Sequence, residues 1–451
     1  MLFRSVFFDE CHVVVRKETY LHQFIQHLLR NQKLGACNVV FVSATPLSTD
    51  PVRSLPQLIN ALFPPSHRRA FRRLLEDVKS ADSDQAMLDK LGRAFRPYLA
   101  KFDSDSMFAG HRIVDLPEIH HTHTACSMPP AVSRSCGVSK SKQEVYMLMA
   151  YRGAATALST LRDKSLPYQE AEAGKIVTSP TSDYHQGALL SVVPGLAAFP
   201  GGFEPIPHGS RIKKAKIRAL GSKEKPFSWT NSTHLAQSCR NPDAVDGRKT
   251  HPMYTHVDDL CRPECEGSRF YCLARDLEAV LRGPASATKN CLVLSPAKPF
   301  VALLTAMFID LHFSGRFTVL YIASSQAPAL REELLAKAIQ SSSPSLPLVV
   351  VSTIVLMGEG LDKLKACSSL FIMSAPLGPT QYKQAVGRIF RRGQLSGLLK
   401  VTLYYSDHTR VGEGPDFDAC LYGLFKSRFR DAGIFLDSTG SVGVDSDSDN
   451  G

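Results

Sequence analysis

No uninterrupted apolar stretch in this chain approaches the roughly 20 residues that a membrane-spanning helix needs, so no helical membrane span and no membrane partner is expected. Its 11 cysteines are an odd number, scattered from Cys11 to Cys420 without a tight CxxC pair. They read as reduced thiols of a soluble intracellular protein rather than as a disulfide framework. Tryptophan occurs once, as Trp229; a lone aromatic in a weakly patterned stretch more often caps a small core than stacks on a base. Acidic charge is in the minority, with 42 Asp and Glu against 53 Lys and Arg for a net charge of +11. That balance favours a polyanionic partner, although it does not separate nucleic acid from an acidic protein or membrane surface. At 451 residues, 44% hydrophobic and 21% charged, the chain has length for two or three cores.

The most informative stretch runs from Leu348 to Gln394. The β-branched run Val349-Val350-Val351 predicts a buried strand ending at Ser352-Thr353. A turn follows through Gly358-Glu359-Gly360 toward Asp362, then a second apolar run from Leu370 to Met373, then breakers at Pro376, Gly378 and Pro379. Gln384 to Arg392 reads as a helix, and the spacing of Gln384, Arg388 and Arg391 predicts one shared face. Two guanidiniums and an amide on one face suit a polyphosphate, because arginine offers a rigid fork of donors. An arbitrary QxxxRxxR is more often a solvated basic face.

Near the beginning, Val6-Phe7-Phe8 leads into Asp9-Glu10-Cys11-His12. An apolar run ending in adjacent acids describes a strand delivering carboxylates to its carboxyl end, where open α/β sheets bind ligands. One acid can hold Mg²⁺ and the other can polarise a water, while the bland alternative is a strand-end turn. A helical pattern over Tyr20–Arg30 precedes a second strand, Asn38–Val42, which ends in Ser43-Ala44-Thr45.

In this order the DExH, SAT, GEGLD and QxxGRxxR motifs resemble those of superfamily two helicases and translocases. Gly393-Gln394 and the phrase GEGLDKLKAC resemble the Swi/Snf-type branch and the poxviral nucleoside triphosphatases; that branch more often carries Asn where this chain has Asp362. The resemblance covers residues 1–64 and about 286–410. It implies an α/β fold with two RecA-like motor domains, the first incomplete and the second complete. It also implies nucleic-acid-dependent ATP hydrolysis with ATP and Mg²⁺ as cofactors. The nucleic acid it favours is DNA rather than RNA, in the nucleus rather than the cytoplasm. Carried over residue by residue, Glu10 would activate water, Asp9 with Glu10 would hold the metal, and Gln384, Arg388 and Arg391 would act on the γ-phosphate. His12, Gly360, Asp362 and Gly387 would line the nucleotide, and Ser43, Thr45, Ser352 and Thr353 would couple it to the bound strand.

The family's phosphate-cradling Gly-x-x-x-x-Gly-Lys-Ser/Thr loop occurs nowhere in the 451 residues. Its lysine and backbone amides supply most of the grip on the β- and γ-phosphates. The expectation is a chain that is the downstream part of a longer motor; the alternative is a motor remnant that binds nucleic acid or protein without turnover.

Residues 65–285 read as a long, mostly helical and irregular insertion. It holds basic helical patterns around Arg68 to Arg73 and Leu88 to Leu99, an amphipathic candidate over Gln143–Leu161, and the basic run Arg211 to Arg218. That run could contact phosphates or serve as a nuclear-import patch, or be a plain solvated loop. Cys261, Cys265 and Cys272, with Cys239, His251 and His256 nearby, invite a zinc reading but lack the second tight pair of structural sites. From 286 to 430, strand and helix patterns alternate as in a doubly wound domain, with Arg331, Glu332 and Glu333 assigned to the exposed side of a helix. Residues 431–451 read as an acidic disordered tail.

Overall fold

The computed structural model describes residues 5–8, 38–41, 84–96, 107–108, 111–112, 116–126, 191–193, 216–218, 226–228, 257–261, 266–284, 288–295, 299–324, 326–358, 361–406, 410–411 and 414–438, with single positions at 23, 59, 69, 71, 73 and 188. The chain divides into two compact units.

The first unit holds residues 1–116, 377–384 and 425–451. In it β1 (Ser5–Phe8) pairs in parallel with β2 (Asn38–Phe41), Ser5 opposite Asn38. The two strands and their parallel pairing fit the strand–helix–strand expectation, whose helix over Tyr20–Arg30 lies outside the described residues apart from position 23. The amphipathic helix α1 (Asp84–Phe95) buries Phe95 against Phe71, ring centroids 5.1 Å apart.

The second unit holds residues 117–376 and 385–424. Its centre is a six-stranded sheet in which every neighbouring pair is parallel. In chain order the strands are β3 (Glu118–Cys126), β4 (Cys291–Ser295), β5 (Thr318–Tyr321), β6 (Leu348–Thr353), β7 (Ser369–Ile372) and β8 (Leu398–Ser406). Their order across the sheet is β3-β8-β7-β4-β6-β5. The chain leaves the central β4 toward one edge, returns through β6, then crosses β4 to build the other side. Every residue of β4, β6 and β7 is buried, which explains their unbroken Leu, Val, Phe and Ile lettering.

The crossovers are α3 (Pro299–His312), α4 (Pro328–Ser341), a pair of 3-10 turns (Ile354–Gly358 and Asp362–Ala366) and α5 (Pro379–Ile389). Crossovers in parallel sheets are right-handed, so connections running in opposite directions place α3 on one face and α4 on the other. Before β4 comes α2 (Arg269–Arg282), started by Ser268, whose Oγ accepts from the Tyr271 amide. It packs on α3 through Phe270 and Phe308, 5.0 Å apart and edge to face. After β8 comes α6 (Phe417–Ser438).

Two features differ from the sequence expectation. Glu118–Cys126, inside the stretch read as helical and irregular, is a nine-residue edge strand paired with β8 over its whole length. Its lettering, EIHHTHTAC, has no apolar run, because an edge strand with mostly exposed side chains needs none. Arg331 is not on the exposed side of α4. It is 4% exposed, and its Nε donates to the Gln326 carbonyl at 2.8 Å. The guanidinium there closes the loop ahead of the helix, work that helical spacing does not reveal. Glu333, by contrast, is exposed and pairs with Lys337.

Among the described residues no helix is long and apolar enough to cross a membrane. The readings on Gln143–Leu161, Arg211 to Lys214, Trp229, Cys239, His251, His256, Cys265 and the acidic tail beyond 438 lie outside the described residues.

Candidate functional site

At the carboxyl end of β6, Ser352 is fully buried and its Oγ donates to the Ile322 carbonyl at 2.9 Å. That bond pins the end of β6 to the exit of β5, and Thr353 beside it is 8% exposed. The chain then coils through its two 3-10 turns, with Leu361 and Leu364 buried and Asp362 exposed. Gly360 lies outside the described residues.

The arginine helix α5 begins on Pro379, whose fixed φ suits a first helical position. It buries the stripe Tyr382, Ala385, Val386 and Ile389. Helical spacing predicted Gln384, Arg388 and Arg391 on one face through Arg392; the helix instead ends at Ile389. Arg391 lies in the turn beyond, its amide bonded to the Ile389 carbonyl at 3.1 Å. The side chain nevertheless returns to the helix, donating from Nε to the Gly387 carbonyl at 2.8 Å, and it forms an ion pair with Asp362. Arg388 is buried at 8% exposure, whereas the Arg391 side chain is 36% exposed.

The turn after the helix explains Gly393-Gln394. Gly393 has φ +80°, in the left-handed region that glycine enters most easily. The Gln394 amide then donates from Nε2 to the carbonyls of Ile389 and Cys367, both at 3.0 Å. Its Oε1 accepts the amide of Leu395 at 2.8 Å. One side chain thus caps the end of α5 and ties it to the entry of β7, filling acceptors that a helix end leaves open. In the sequence, Gln394 stands out only through its motif resemblance.

The structure therefore brings Asp362, Gly387 and Arg391 together, and Gln394 with them. Ser352 and Thr353 sit at the opposite end of the sheet, since α5 runs back toward the strands' amino ends. Asp9, Glu10, His12, Ser43 and Thr45 lie outside the described residues.

A second polar cluster was not foreseen. At the carboxyl end of β7, Arg269 donates to the Met373 carbonyl at 2.6 Å and forms an ion pair with Asp418. Asp418 also accepts from Ser374 Oγ at 3.3 Å and from the Ser406 amide. Four segments meet on this carboxylate: α2, the exits of β7 and β8, and the first turn of α6. Nearby, Tyr404 Oη donates to Asp276 at 2.8 Å, and burial pushes its phenol well above its ordinary range. The signal available beforehand was weak: a Ser-Arg at a helix start and an Asp three residues after a Pro.

The donor set fits a polyphosphate better than a metal. Two guanidiniums lie three residues apart, and a Cβ built on Gly387, just ahead of them, would meet nothing within 4 Å. A glycine in a helix is unfavourable by about 0.5–1 kcal/mol against alanine, so one without a packing reason suits close approach of a ligand. Among the described residues no group of three or more His, Cys, Asp or Glu is placed to hold a metal ion. Cys261 and Cys272 are buried in helices, the latter with its Sγ 3.6 Å from the Gly267 carbonyl.

No protein-family model matches the chain, and no curated protein matches it. Among solved structures, it is similar to the C-terminal part of the Fun30 ATPase domain, at 13% identity and TM-score 0.38, over 72% of this chain and 99% of that one. It is also similar to the Sulfolobus solfataricus SWI2/SNF2 ATPase core in complex with double-stranded DNA, at 14% identity and TM-score 0.36, over 96% of this chain and 69% of that one. Both scores lie under one half, and neither likeness assigns a residue. The sheet order and its parallel pairing define the class directly: an open, doubly wound α/β domain.

Proposed function

We propose that the chain is a nucleic-acid-dependent ATPase of the superfamily two motor type, its second RecA-like domain being the sheet of β4 to β8 with its crossovers. The observation that carries this reading is the Asp362–Arg391–Gly387 linkage. It joins the stretch after β6 to the arginine helix, the two motifs that in this family act together on the nucleotide. ATP supplies the phosphoanhydride bond that is broken. Arg388 and Arg391 bind its terminal phosphate and stabilise the charge that develops there. Asp362 holds Arg391 in place until phosphate oxygens, which match its donor fork equally well, take over the contact. Asp9 with Mg²⁺, Glu10, His12, Ser43 and Thr45 keep in this reading the roles that the sequence likeness implies, as do Gln384, Ser352 and Thr353. DNA is the favoured strand and the nucleus the favoured compartment on the same basis.

The test is ATP hydrolysis by the purified chain with and without duplex DNA and single-stranded RNA. Turnover raised by either nucleic acid supports the motor. Nucleic-acid binding without detectable ATP binding replaces it with a non-hydrolytic binding protein, a reading consistent with the missing Gly-x-x-x-x-Gly-Lys-Ser/Thr.

A further inference from the structure

Helix α2 carries Tyr271, Arg275, Glu278 and Arg282 along one stripe, at spacings of four, three and four. Together with His312, at the end of α3, and Arg316, just ahead of β5, this stripe lines an open groove of about 840 Å³. Three guanidiniums and an imidazole face one carboxylate there. Glu278 takes Arg316 through both oxygens, each at 2.9 Å, and receives Arg282 at 3.5 Å. Two guanidiniums bring far more N–H donors than one carboxylate accepts. Arg275 leans on its neighbour Asp276, whose other oxygen is occupied by Tyr404. The Arg316 guanidinium is held from the other side by the Phe313 ring, 5.7 Å from the centroid, so it is preorganised at low entropic cost.

Both α2 and α3 run antiparallel to the strands they connect to, so Arg282, His312 and Arg316 lie toward the amino ends of the sheet. The groove thus lies away from the Ser352–Thr353 end, and α2 with α3 occupies the face of the sheet opposite α4 and the arginine helix. From Tyr271 to Arg282 the stripe is roughly 16 Å long at about 1.5 Å per residue. That length matches about five steps of one nucleic-acid strand at 3.4 Å each.

We infer that this groove is a second nucleic-acid contact, in which Arg275, Arg282 and Arg316 neutralise backbone phosphates of one strand. The inference rests on the nucleic-acid reading of the proposed function and adds a surface which that reading does not require. A phosphate backbone suits the groove better than a single small anion, because Arg275 stands seven residues along α2 from the Arg282–Glu278–Arg316 cluster, so the cationic groups span more than one anion. The contact is sequence-independent and stiffens the dependence of binding on salt. Displacing Glu278 from Arg316 is part of binding, so the carboxylate sets the threshold.

The experiment is fluorescence anisotropy of a labelled duplex oligonucleotide with the whole chain, titrated at several salt concentrations. The triple variant R275Q/R282Q/R316Q changes side chains that are 55%, 78% and 51% exposed and should fold normally. Each phosphate contact contributes about 0.9 to the slope of log K against log salt. The triple variant should therefore lose between about two and three units of slope, and on the order of tenfold or more in affinity near 0.1 M salt. Glu278→Gln should bind more tightly than wild type with a steeper slope. Basal ATP turnover should be the same in all of these proteins. A wild-type chain that binds with the same slope as the triple variant overturns the groove alone. A wild-type chain that binds no oligonucleotide at low salt overturns both the groove and the motor reading. Competition by polyglutamate as effective as by unlabelled duplex at matched charge would assign the groove to acidic protein instead and also overturns it.

Discussion

Arg269 and Asp418 form an ion pair from which solvent is almost wholly excluded, the two side chains being 5% and 0% exposed. They come from helices 149 positions apart in the chain, and between them they hold the Met373 carbonyl, the Ser374 hydroxyl and the Ser406 amide. The exits of β7 and β8 are thereby fixed to one point. Removing one member leaves the other charged, buried and unpaired. Arg269→Ala should accordingly destabilise the second unit by about 3–5 kcal/mol, read from the urea midpoint. The double variant Arg269→Met with Asp418→Leu should recover most of that loss, because two apolar side chains leave no orphaned charge. A single variant with an unchanged midpoint would mean that the pair does not hold this corner.

The Gly393-Gln394 turn makes a smaller, separable contribution. Gly393→Ala places a Cβ at φ +80° but only 3.5 Å from Lys365 Nζ, an ordinary contact. Its cost is therefore backbone strain alone, about 1–2 kcal/mol. Gln394→Ala leaves the carbonyls of Ile389 and Cys367 without that donor, for about 1–3 kcal/mol. Hydrogen exchange should show the last turn of α5 opening first in both variants. Unaltered protection there would contradict the capping role.

Arg316 donates to the Glu278 carboxyl and so lowers its pKa from the usual carboxylate range; desolvation opposes this, and the Arg316 and Arg282 charges add to the lowering. A carboxyl with a depressed folded-state pKa contributes stability that is fully present above its unfolded value and is lost as pH falls through the folded value. Glu278→Gln should thus narrow its gap to wild type on acidification from neutrality to below pH 4, since the wild-type advantage disappears there. Thermal midpoints across that range provide the check, and a gap that widens at low pH would be the contrary result.

Burial raises the Cys291 thiol well above its ordinary range, with the neighbouring Cys367 adding to the effect; burial also pushes Cys367 up to about 12. Thiolate, not thiol, is the reacting species. Iodoacetamide at pH 8 should leave both cysteines unmodified in the folded protein and label them once urea exposes them. Rapid labelling without denaturant would show that β4 and β7 are not closed as described.

Much of the second unit was legible from lettering alone. Val349–Val351, Leu370–Met373 and Cys291–Leu294 are buried on both faces, so apolar runs with breakers between them were enough to find β6, β7 and β4. The arginine helix was legible from spacing, although its end was not. Its stop depends on Gly393 entering the left-handed region and on Gln394 reaching back, and a side-chain cap leaves no periodicity. The edge strand Glu118–Cys126 was missed because its partner β8 lies some 280 positions away and its own side chains are mostly exposed. Arg331 and Asp418 were misread or passed over for a related reason. A buried charge is specified by its partners, and these lie on other segments. Of the candidate site, Asp362, Gly387 and Arg391 meet, a contact that helical spacing does not give, whereas Asp9, Glu10, His12, Ser43 and Thr45 fall outside the described residues.

In the proposed function, Arg388 acts on the terminal phosphate of ATP. The most direct test of this role is turnover by wild type and by Arg388→Lys, with and without duplex DNA, alongside DNA binding as a control for folding. Lysine keeps the charge but not the planar fork. The expected result is DNA-stimulated hydrolysis in the wild type and a loss of at least about 10²-fold in the variant, with DNA binding retained. Equal turnover in the two proteins would contradict it.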